Sequence, residues 1–277
     1  MRLYPPGFEE KDQLRSAFIR ELIVHLVERP SSPDFDVPPV TKAVPRTLIQ
    51  YWHDPSDIPD DVRDCLASWN RLVAEGFEIR MFCDASAAAY IAERYGSCER
   101  EAFERCRHPA MRSDYLRMCV VLAEGGLYVD ADDVLVGDGW QSLFGDDRLK
   151  LQPLCYDIPT AQMVPAAEIW RPDLPTEGRI FYVNNNPIAA AAGHPVLRAA
   201  LSRATDRLLG KDPLPEIQAT TGPGNLTAAL AAHAYKLVAT GAPLDFDVMR
   251  DWENIAETRW HLSYRSDARN WRNMDAG

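Results

Sequence analysis

The segment that most constrains the fold of this chain runs from Pro109 to Val136, where a helix, a strand and a cluster of acids follow one another without a linker. Its first half, "PAMRSDYLRMCVVLAE", repeats apolar residues at helical spacing, which predicts a helix with one buried stripe. Gly125 and Gly126 end that helix, and the "LYV" that follows them is typical of a short buried strand. Acids at positions 130, 132 and 133 then place carboxylates at a strand end.

Strand and helix patterns alternate on both sides of this segment. "RTLIQYW" and "FEIRMF" have the alternation of strands. Helices are expected to begin near Pro59, Asp84, Pro109, Pro195 and Pro223. Because strands that alternate with helices pair mainly in parallel, the sequence predicts an α/β fold with a mainly parallel twisted sheet flanked by helices.

The first 43 residues have a different character. Leu14, Phe18, Leu22 and Leu26 recur every four residues and predict an amphipathic helix, which a proline-rich linker connects to the rest of the chain. The apolar face of this helix could pack on the core or on a second copy, and a membrane surface is the less favoured alternative. The oligomeric state and any membrane contact therefore stay open.

The amino-acid composition limits which ligands the protein can bind and in which compartment we expect it. With 30 basic against 41 acidic residues the net charge is −11, which argues against nucleic acid as a partner. An anionic ligand must therefore be held by a local feature of its binding site, because the overall charge of the protein repels it. No apolar run is long enough to span a membrane, and the first residues lack the apolar core of a signal peptide. We expect a cytoplasmic protein, with peripheral attachment to the inner face of the membrane left open.

Asp130 and Asp132 are the candidates for such a feature, because together they could bind a cation. In an extended strand, residues two apart project from one face about 7 Å from each other. Two carboxylates at this spacing suit one divalent cation, and Mg2+ and Mn2+ prefer carboxylate, water and phosphate oxygens. Asp133 would point the other way and have a structural or supporting role. The alternative is a solvated acidic loop, or an N-cap cluster at Asp132 and Asp133.

The stretch "RSDYLRMCVVLAEGGLYVDADDVLV" resembles the signature of glycosyltransferase family 32, a DXD-containing family of sugar transferases. Four further stretches resemble family motifs in the same order, namely "VPRTLIQYW", "NNNPIAAAAGHPVL", "TTGPGNLTAAL" and "HLSYRSDARNW". The resemblance spans residues 44–271 and extends, more distantly, to the catalytic domains of glucosylating clostridial toxins. Two features differ from the family pattern: Ile49 stands in place of a histidine, and the segment between His261 and Trp271 is longer.

This resemblance implies a GT-A fold in which residues 44–277 form one domain that transfers a hexose from a UDP- or GDP-sugar with retention. The cofactor would be Mn2+ or Mg2+, and the acceptor a glycan or a protein. Metal ligation is implied for Asp130, Asp132 and His261, and catalytic roles for Asp114, Arg117 and Asp132. Nucleotide-sugar binding is implied for Gln50, Trp52, Asp114, Arg117, Asp130, Asn186, Gly222 and Trp271.

Several functions are compatible with this site. A transferase could serve surface polysaccharide synthesis or modify host proteins, a metal-dependent phosphohydrolase would also place acids at a strand end, and a non-catalytic relative would only bind sugar nucleotides. For a transferase we expect same-face attack assisted by the leaving phosphate, rather than a covalent adduct at Asp114 or Asp133. The N–H groups of Gly222 and Gly224 could stabilise developing charge. The acceptor side is expected within residues 155–179, where the sequence has no clear pattern.

Overall fold

The protein is described by a computed structural model that covers residues 2–28, 43–211 and 216–273. The helices of these residues are α1 (Asp12–Glu28), α2 (Asp60–Ser68), α3 (Asp84–Arg94), α4 (Ser97–Glu104), α5 (Pro109–Glu124), α6 (Ala166–Ile169), α7 (Pro195–Leu209), α8 (Ile217–Thr220) and α9 (Pro223–Thr240). The strands are β1 (Thr47–Tyr51), β2 (Glu78–Phe82), β3 (Gly126–Tyr128), β4 (Asp133–Leu135), β5 (Leu149–Asp157), β6 (Gln162–Met163), β7 (Arg179–Ala190), β8 (Phe246–Val248) and β9 (Ala256–Thr258). Among the helices described, none is both long and apolar enough to cross a membrane.

Seven strands form the main sheet in the order β2-β1-β3-β7-β5-β6, with β8 beside β5. β1 pairs in parallel with β2 and β3, and β5 with β8, whereas β7 runs antiparallel to β3 and β5, and β6 antiparallel to β5. Five of the seven strands therefore run in one direction. The predicted α/β fold, with a largely parallel sheet flanked by helices, is confirmed.

The strands divide their side chains between two apolar cores, one on each face of the sheet. In β1, Leu48 packs into the smaller core and Ile49 into the larger one, and β3 alternates in the same way. Side chains of α1, α5, α7 and α9 fill the larger core. The smaller core is filled from short 3-10 turns at Trp69–Glu75 and Gly139–Phe144.

The N-terminal helix α1 is part of the larger core. Phe18, Ile19, Leu22 and Ile23 are each at most 1% exposed and pack in that core. Of the alternatives for the amphipathic helix, packing on the core is therefore the one observed. The predicted proline-rich linker falls on residues 29–42, which lie outside the described residues.

Arg20 of α1 organises the segment in which the sequence has no clear pattern. Its guanidinium, buried with the rest of the side chain, donates to the carbonyl oxygens of Ile169 at 2.9 Å, Arg171 at 2.6 Å and Leu174 at 3.0 Å. The same group lies 5.1 Å over the ring of Phe181. One buried side chain from the N-terminal helix thus holds α6 and the loop before β7.

Gly125 and Gly126 allow α5 to turn directly into β3. Their φ angles are +77° and +119°, in the region that favours glycine. A Cβ on Gly126 would lie 2.7 Å from the backbone oxygen of Thr47 in β1, and one on Gly125 would lie 2.8 Å from that of Ala190 in β7. Only glycine fits at this junction, which seats β3 closely between its two neighbouring strands.

The acids after β3 do not continue the strand. β3 ends at Tyr128, and a hydrogen bond of 3.2 Å from the N–H of Asp133 to the carbonyl of Asp130 closes a turn. The expectation that Asp130 and Asp132 project from one face of an extended strand is therefore wrong. The reason is that Asp133 begins β4, which leaves the main sheet and pairs with β9 in a separate two-stranded sheet.

Candidate active site

A cavity of about 700 Å3 lies beyond the carboxyl ends of β1 and β3, where ligands of α/β sheets commonly bind. Its walls come from α5, from the asparagines of β7 and from the chain between residues 252 and 272. Seven residues selected from the sequence line it: Trp52, Asp114, Arg117, Asp130, Asp132, Asn186 and Trp271. The structure thus brings together positions that are up to 219 residues apart in the chain, counted from Trp52 to Trp271.

Arg117 is the centre of the site, and its side chain is only 3% exposed. Its Nη2 donates to Ser113 Oγ at 2.9 Å and to Asp130 Oδ1 at 2.8 Å, and its Nη1 donates to the carbonyl oxygen of Asn185 at 2.7 Å. Asp114 Oδ1 lies 3.1 Å from the same Nη2. The residues of the S-D-x-x-R pattern within "RSDYLRM", Ser113, Asp114 and Arg117, therefore lie on the buried face of α5, and the arginine joins two carboxylates.

Both carboxylate oxygens of Asp114 have partners. Asn185 Nδ2 donates to Oδ1 at 2.8 Å, and Thr221 Oγ1 donates to Oδ2 at 3.2 Å. Burial raises the pKa of Asp114 to about 6, although Arg117 and these two hydrogen bonds act to lower it. A carboxyl group fixed in this way is better placed to accept a hydrogen bond from a ligand hydroxyl than to attack carbon.

Asp130 and Asp132 line the cavity, and in each of them one carboxylate oxygen accepts hydrogen bonds from other side chains. Asp130 Oδ1 accepts from Arg117, and Asp132 Oδ2 accepts from the Tyr264 hydroxyl at 2.7 Å and from Arg265 Nη2. Within the described part of the chain, no other residue donates a hydrogen bond to Asp130 Oδ2 or Asp132 Oδ1. Burial raises the pKa of Asp132, and the neighbouring charge of Asp130 raises it further.

These two oxygens fit a divalent cation, with the remaining positions left to water and phosphate. Carboxylate oxygens are ligands that Mg2+ and Mn2+ accept, and a cation would remove the repulsion between Asp130 and Asp132. The predicted third ligand, His261, is exposed and does not line the cavity. Among residues 2–28, 43–211 and 216–273, no group of three His, Cys, Asp or Glu is placed to hold a metal. The predicted set of three ligands is therefore not assembled, because Tyr264 and Arg265 reach Asp132 instead of His261.

Asp133 is a structural residue. It is fully buried, and its Oδ1 accepts from Thr258 Oγ1 at 2.6 Å while its Oδ2 accepts from Asn186 Nδ2 at 2.8 Å. Burial and the charges of the neighbouring acids raise the pKa of Asp133 to about 7. Asn186 Oδ1 also accepts the N–H of Asp130 at 2.9 Å, so this asparagine holds the acidic turn through both ends of its amide.

Three residues selected from the sequence lie differently from expectation. Gln50 is 2% exposed and shares its side of β1 with Leu48, so it is in the core and does not reach the cavity. The N–H of Gly222 donates to the carbonyl of Ile217 at 2.9 Å and is not free to stabilise an anion. Trp52 lines the cavity but is only 7% exposed, so its indole offers little open face to a nucleobase.

Most of the wall formed by the C-terminal segment was missed in the sequence. We call Trp260, Arg265, Trp271 and Arg272 the C-terminal wall, and all four line the cavity. The Arg265 guanidinium lies 4.7 Å over the ring of Trp260, and that of Arg272 lies 5.4 Å from Trp260 and 5.1 Å from Trp271. The available signal was a group of arginines and tryptophans near the end of an acidic chain.

Two solved structures are similar to this chain at low identity. One is named "PaToxG Glycosyltransferase", with 14% identity, a TM-score of 0.47 and 97% of each chain covered. The other is the ligand-free glycosyltransferase domain from the YGT toxin, with 9% identity, a TM-score of 0.43, and 78% of this chain and 81% of that chain covered. No curated protein matches the chain.

A family-level match covers the first part of the site. Residues 47–148 match the sequence model of the family described as glycosyltransferase sugar-binding region containing DXD motif. The matched range includes β1, the S-D-x-x-R residues of α5 and the acidic turn after β3. From residue 47 to residue 148, this chain is therefore similar to the DXD-containing sugar-binding region of glycosyltransferases.

Proposed function

We propose that this protein is a metal-dependent, retaining glycosyltransferase of GT-A type, which moves a hexose from a UDP- or GDP-hexose to a glycan or protein acceptor. The observation that carries the proposal is the placement of Asp114, Asp130 and Asp132 around one cavity, with Arg117 bonded to the first two. The family match supports the general activity. The cavity volume of about 700 Å3 lies within the usual range for small-molecule sites, roughly 300–1,000 Å3.

The charges of the site favour a cation together with a diphosphate. Three carboxylates, those of Asp114, Asp130 and Asp132, form ion pairs with the guanidinium groups of Arg117 and Arg265. When all three are ionised, one negative charge is in excess, and a divalent ion would offset it and leave positive charge for a diphosphate. Bound between Asp130 and Asp132, Mn2+ or Mg2+ would supply positive charge to the departing diphosphate.

The remaining chemistry falls to the side chains. Asp114 would accept hydrogen bonds from hydroxyl groups of the donor sugar. Arg117 is a positioning residue, because most of its donors are already bonded to Ser113, Asp130 and Asn185. Its effect on the donor would pass through the carboxylates that it holds.

The same contacts favour attack from the face on which the diphosphate leaves. A double displacement needs a carboxylate free to bond to the anomeric carbon, and both oxygens of Asp114 and of Asp133 are engaged. The acceptor oxygen would form its bond as the bond to the diphosphate breaks, and the leaving phosphate would take the acceptor's proton. The released sugar would then keep the anomeric configuration of the donor.

The test is release of nucleoside diphosphate from a panel of UDP- and GDP-hexoses with Mn2+ or Mg2+, followed by NMR of the released sugar. Asp132→Asn is expected to lower turnover by about 100-fold or more, because a metal ion contributes several kcal/mol to such charge stabilisation. Asp64→Asn is the matched control, since Asp64 is exposed and does not line the cavity. Equal turnover by Asp132→Asn and wild type would contradict the proposal, as would inversion at the anomeric carbon.

A further inference from the structure

The C-terminal wall alternates cations and aromatic rings along one side of the cavity. Arg265 lies against Trp260, and Arg272 lies close to both Trp260 and Trp271. Cation–π contacts of this kind hold guanidinium groups in place without using their N–H donors. The arrangement presents positive charge to the cavity in a protein whose net charge is −11.

The arginines that line the cavity differ in how many donors they have free. Arg117 is bonded to acids and to the backbone, and Arg269 is bonded to Asp267 at 2.7 Å and to Asp57 at 3.2 Å. Arg265 uses Nη2 for Asp132, but its Nε is buried and has no hydrogen-bond acceptor within the described residues. Its Nη1 also has no acceptor among these residues and, unlike Nε, is not buried, so a ligand in the cavity can reach it.

Arg272 is the second cation with free donors. Among residues 2–28, 43–211 and 216–273, no carboxylate forms an ion pair with it, and its guanidinium lies against the two indoles. A guanidinium group forms paired hydrogen bonds to phosphate oxygens, and these are stronger than bonds between neutral groups. The two arginines therefore offer donors to an anion with several phosphate oxygens.

We infer that Arg265 and Arg272 bind the diphosphate of the nucleotide donor, on the side of the cavity formed by the C-terminal wall. The inference rests on the proposed function for the identity of the ligand. Arg265 can keep its bond to Asp132 Oδ2 and give the N–H groups of Nη1 to a phosphate oxygen, while Asp132 Oδ1 stays open to a cation. The diphosphate would then be held by charges that belong to the chain as well as by a metal.

The test is titration of the protein with inorganic pyrophosphate, and with UDP and GDP. EDTA is present, so that binding by the chain's own arginines is measured without a metal ion. Arg265→Gln and Arg272→Gln are each expected to weaken binding about tenfold, the loss of one charge-assisted interaction. Arg269→Gln is the matched control: it removes the same charge from the same cavity wall, but a guanidinium already bonded to two acids. Its affinity is expected to stay within about twofold of wild type.

Melting curves for each variant separate loss of binding from loss of folding. Arg272→Gln breaks no ion pair among the described residues, so its fold is expected to persist even if Arg265→Gln destabilises the site around Asp132. The inference is overturned if wild type does not bind pyrophosphate, if Arg272→Gln binds it as wild type does, or if Arg269→Gln loses as much affinity. The two proposals can fail separately. If no nucleotide sugar is hydrolysed but pyrophosphate still binds in a way that depends on the two arginines, the proposed function is contradicted and the diphosphate site is retained.

Discussion

Replacing Arg117 with glutamine is expected to lower the free energy of unfolding by about 3 kcal/mol. Removing one partner of a buried ion pair costs roughly 3–5 kcal/mol, because the other charge stays buried without compensation. Arg117 is 3% exposed and Asp114 9%, but Asp130 is 31% exposed and water can reach it, which favours the lower end of that range. For a chain of this size, 3 kcal/mol corresponds to a fall in melting temperature of about 6–12 °C.

The measurement is urea and thermal unfolding of Arg117→Gln, Asp130→Asn and the double variant at about pH 7.5. A coupling energy of roughly 1 kcal/mol or more between the two sites is expected, because the residues share a hydrogen bond. Arg112→Gln is the control on the same helix: Arg112 and its partner Asp84 are 20% and 41% exposed, so its cost should be at most about 1 kcal/mol. Equal costs for the two arginine variants, or no coupling, would refute the role given to Arg117.

Three further predictions concern the frame around the site. Burial lowers the pKa of His194, whose Nδ1 accepts a backbone N–H at the start of α7, so the unfolded chain binds a proton more readily than the folded one. The stability that neutral His194 contributes is present above about pH 6.5 and is lost as the pH falls through the folded-state pKa. Asparagine also caps helices but does not titrate, so His194→Asn should reduce the loss of stability between about pH 7 and pH 5 in urea melts. Gly126→Ala should cost at least about 1 kcal/mol in the same melts because its Cβ would lie 2.7 Å from a backbone oxygen of β1, whereas Gly96→Ala, with a similar φ of +112° and open space around it, should cost less. Arg20→Met should speed amide hydrogen exchange between residues 166 and 178 because four hydrogen bonds to carbonyl oxygens are lost, and unchanged exchange there would contradict the role of Arg20.

The parts of the fold that could be predicted from sequence are those fixed by local patterns. The glycine pair at 125 and 126 marks the end of α5 and the start of β3, because only glycine fits there. The helical spacing of Asp114 and Arg117 likewise places both on one side of α5. Patterns of this kind depend on a few neighbouring residues, so they can be read before the fold is known.

The parts that could not be predicted depend on contacts between distant segments. The position of β7 between β3 and β5 is set by pairing across the sheet, which its own sequence does not encode. The bond between Arg265 and Asp132 joins residues 133 positions apart, so the sequence-based choice of His261 at this site had no local pattern against it. The acidic turn is similar: "VDADD" is compatible with a continuing strand, and the pairing of β4 with β9 bends it away.

We propose that Asp130 and Asp132 hold a divalent ion at the diphosphate of a nucleotide sugar. The most direct measurement is anomalous X-ray scattering from crystals of the protein grown with Mn2+ and UDP or GDP. We expect a manganese peak within about 2.5 Å of one oxygen of Asp130 or Asp132 and of a phosphate oxygen. A peak at His261 instead, or a bound nucleotide whose diphosphate lies away from the acidic turn, would contradict it.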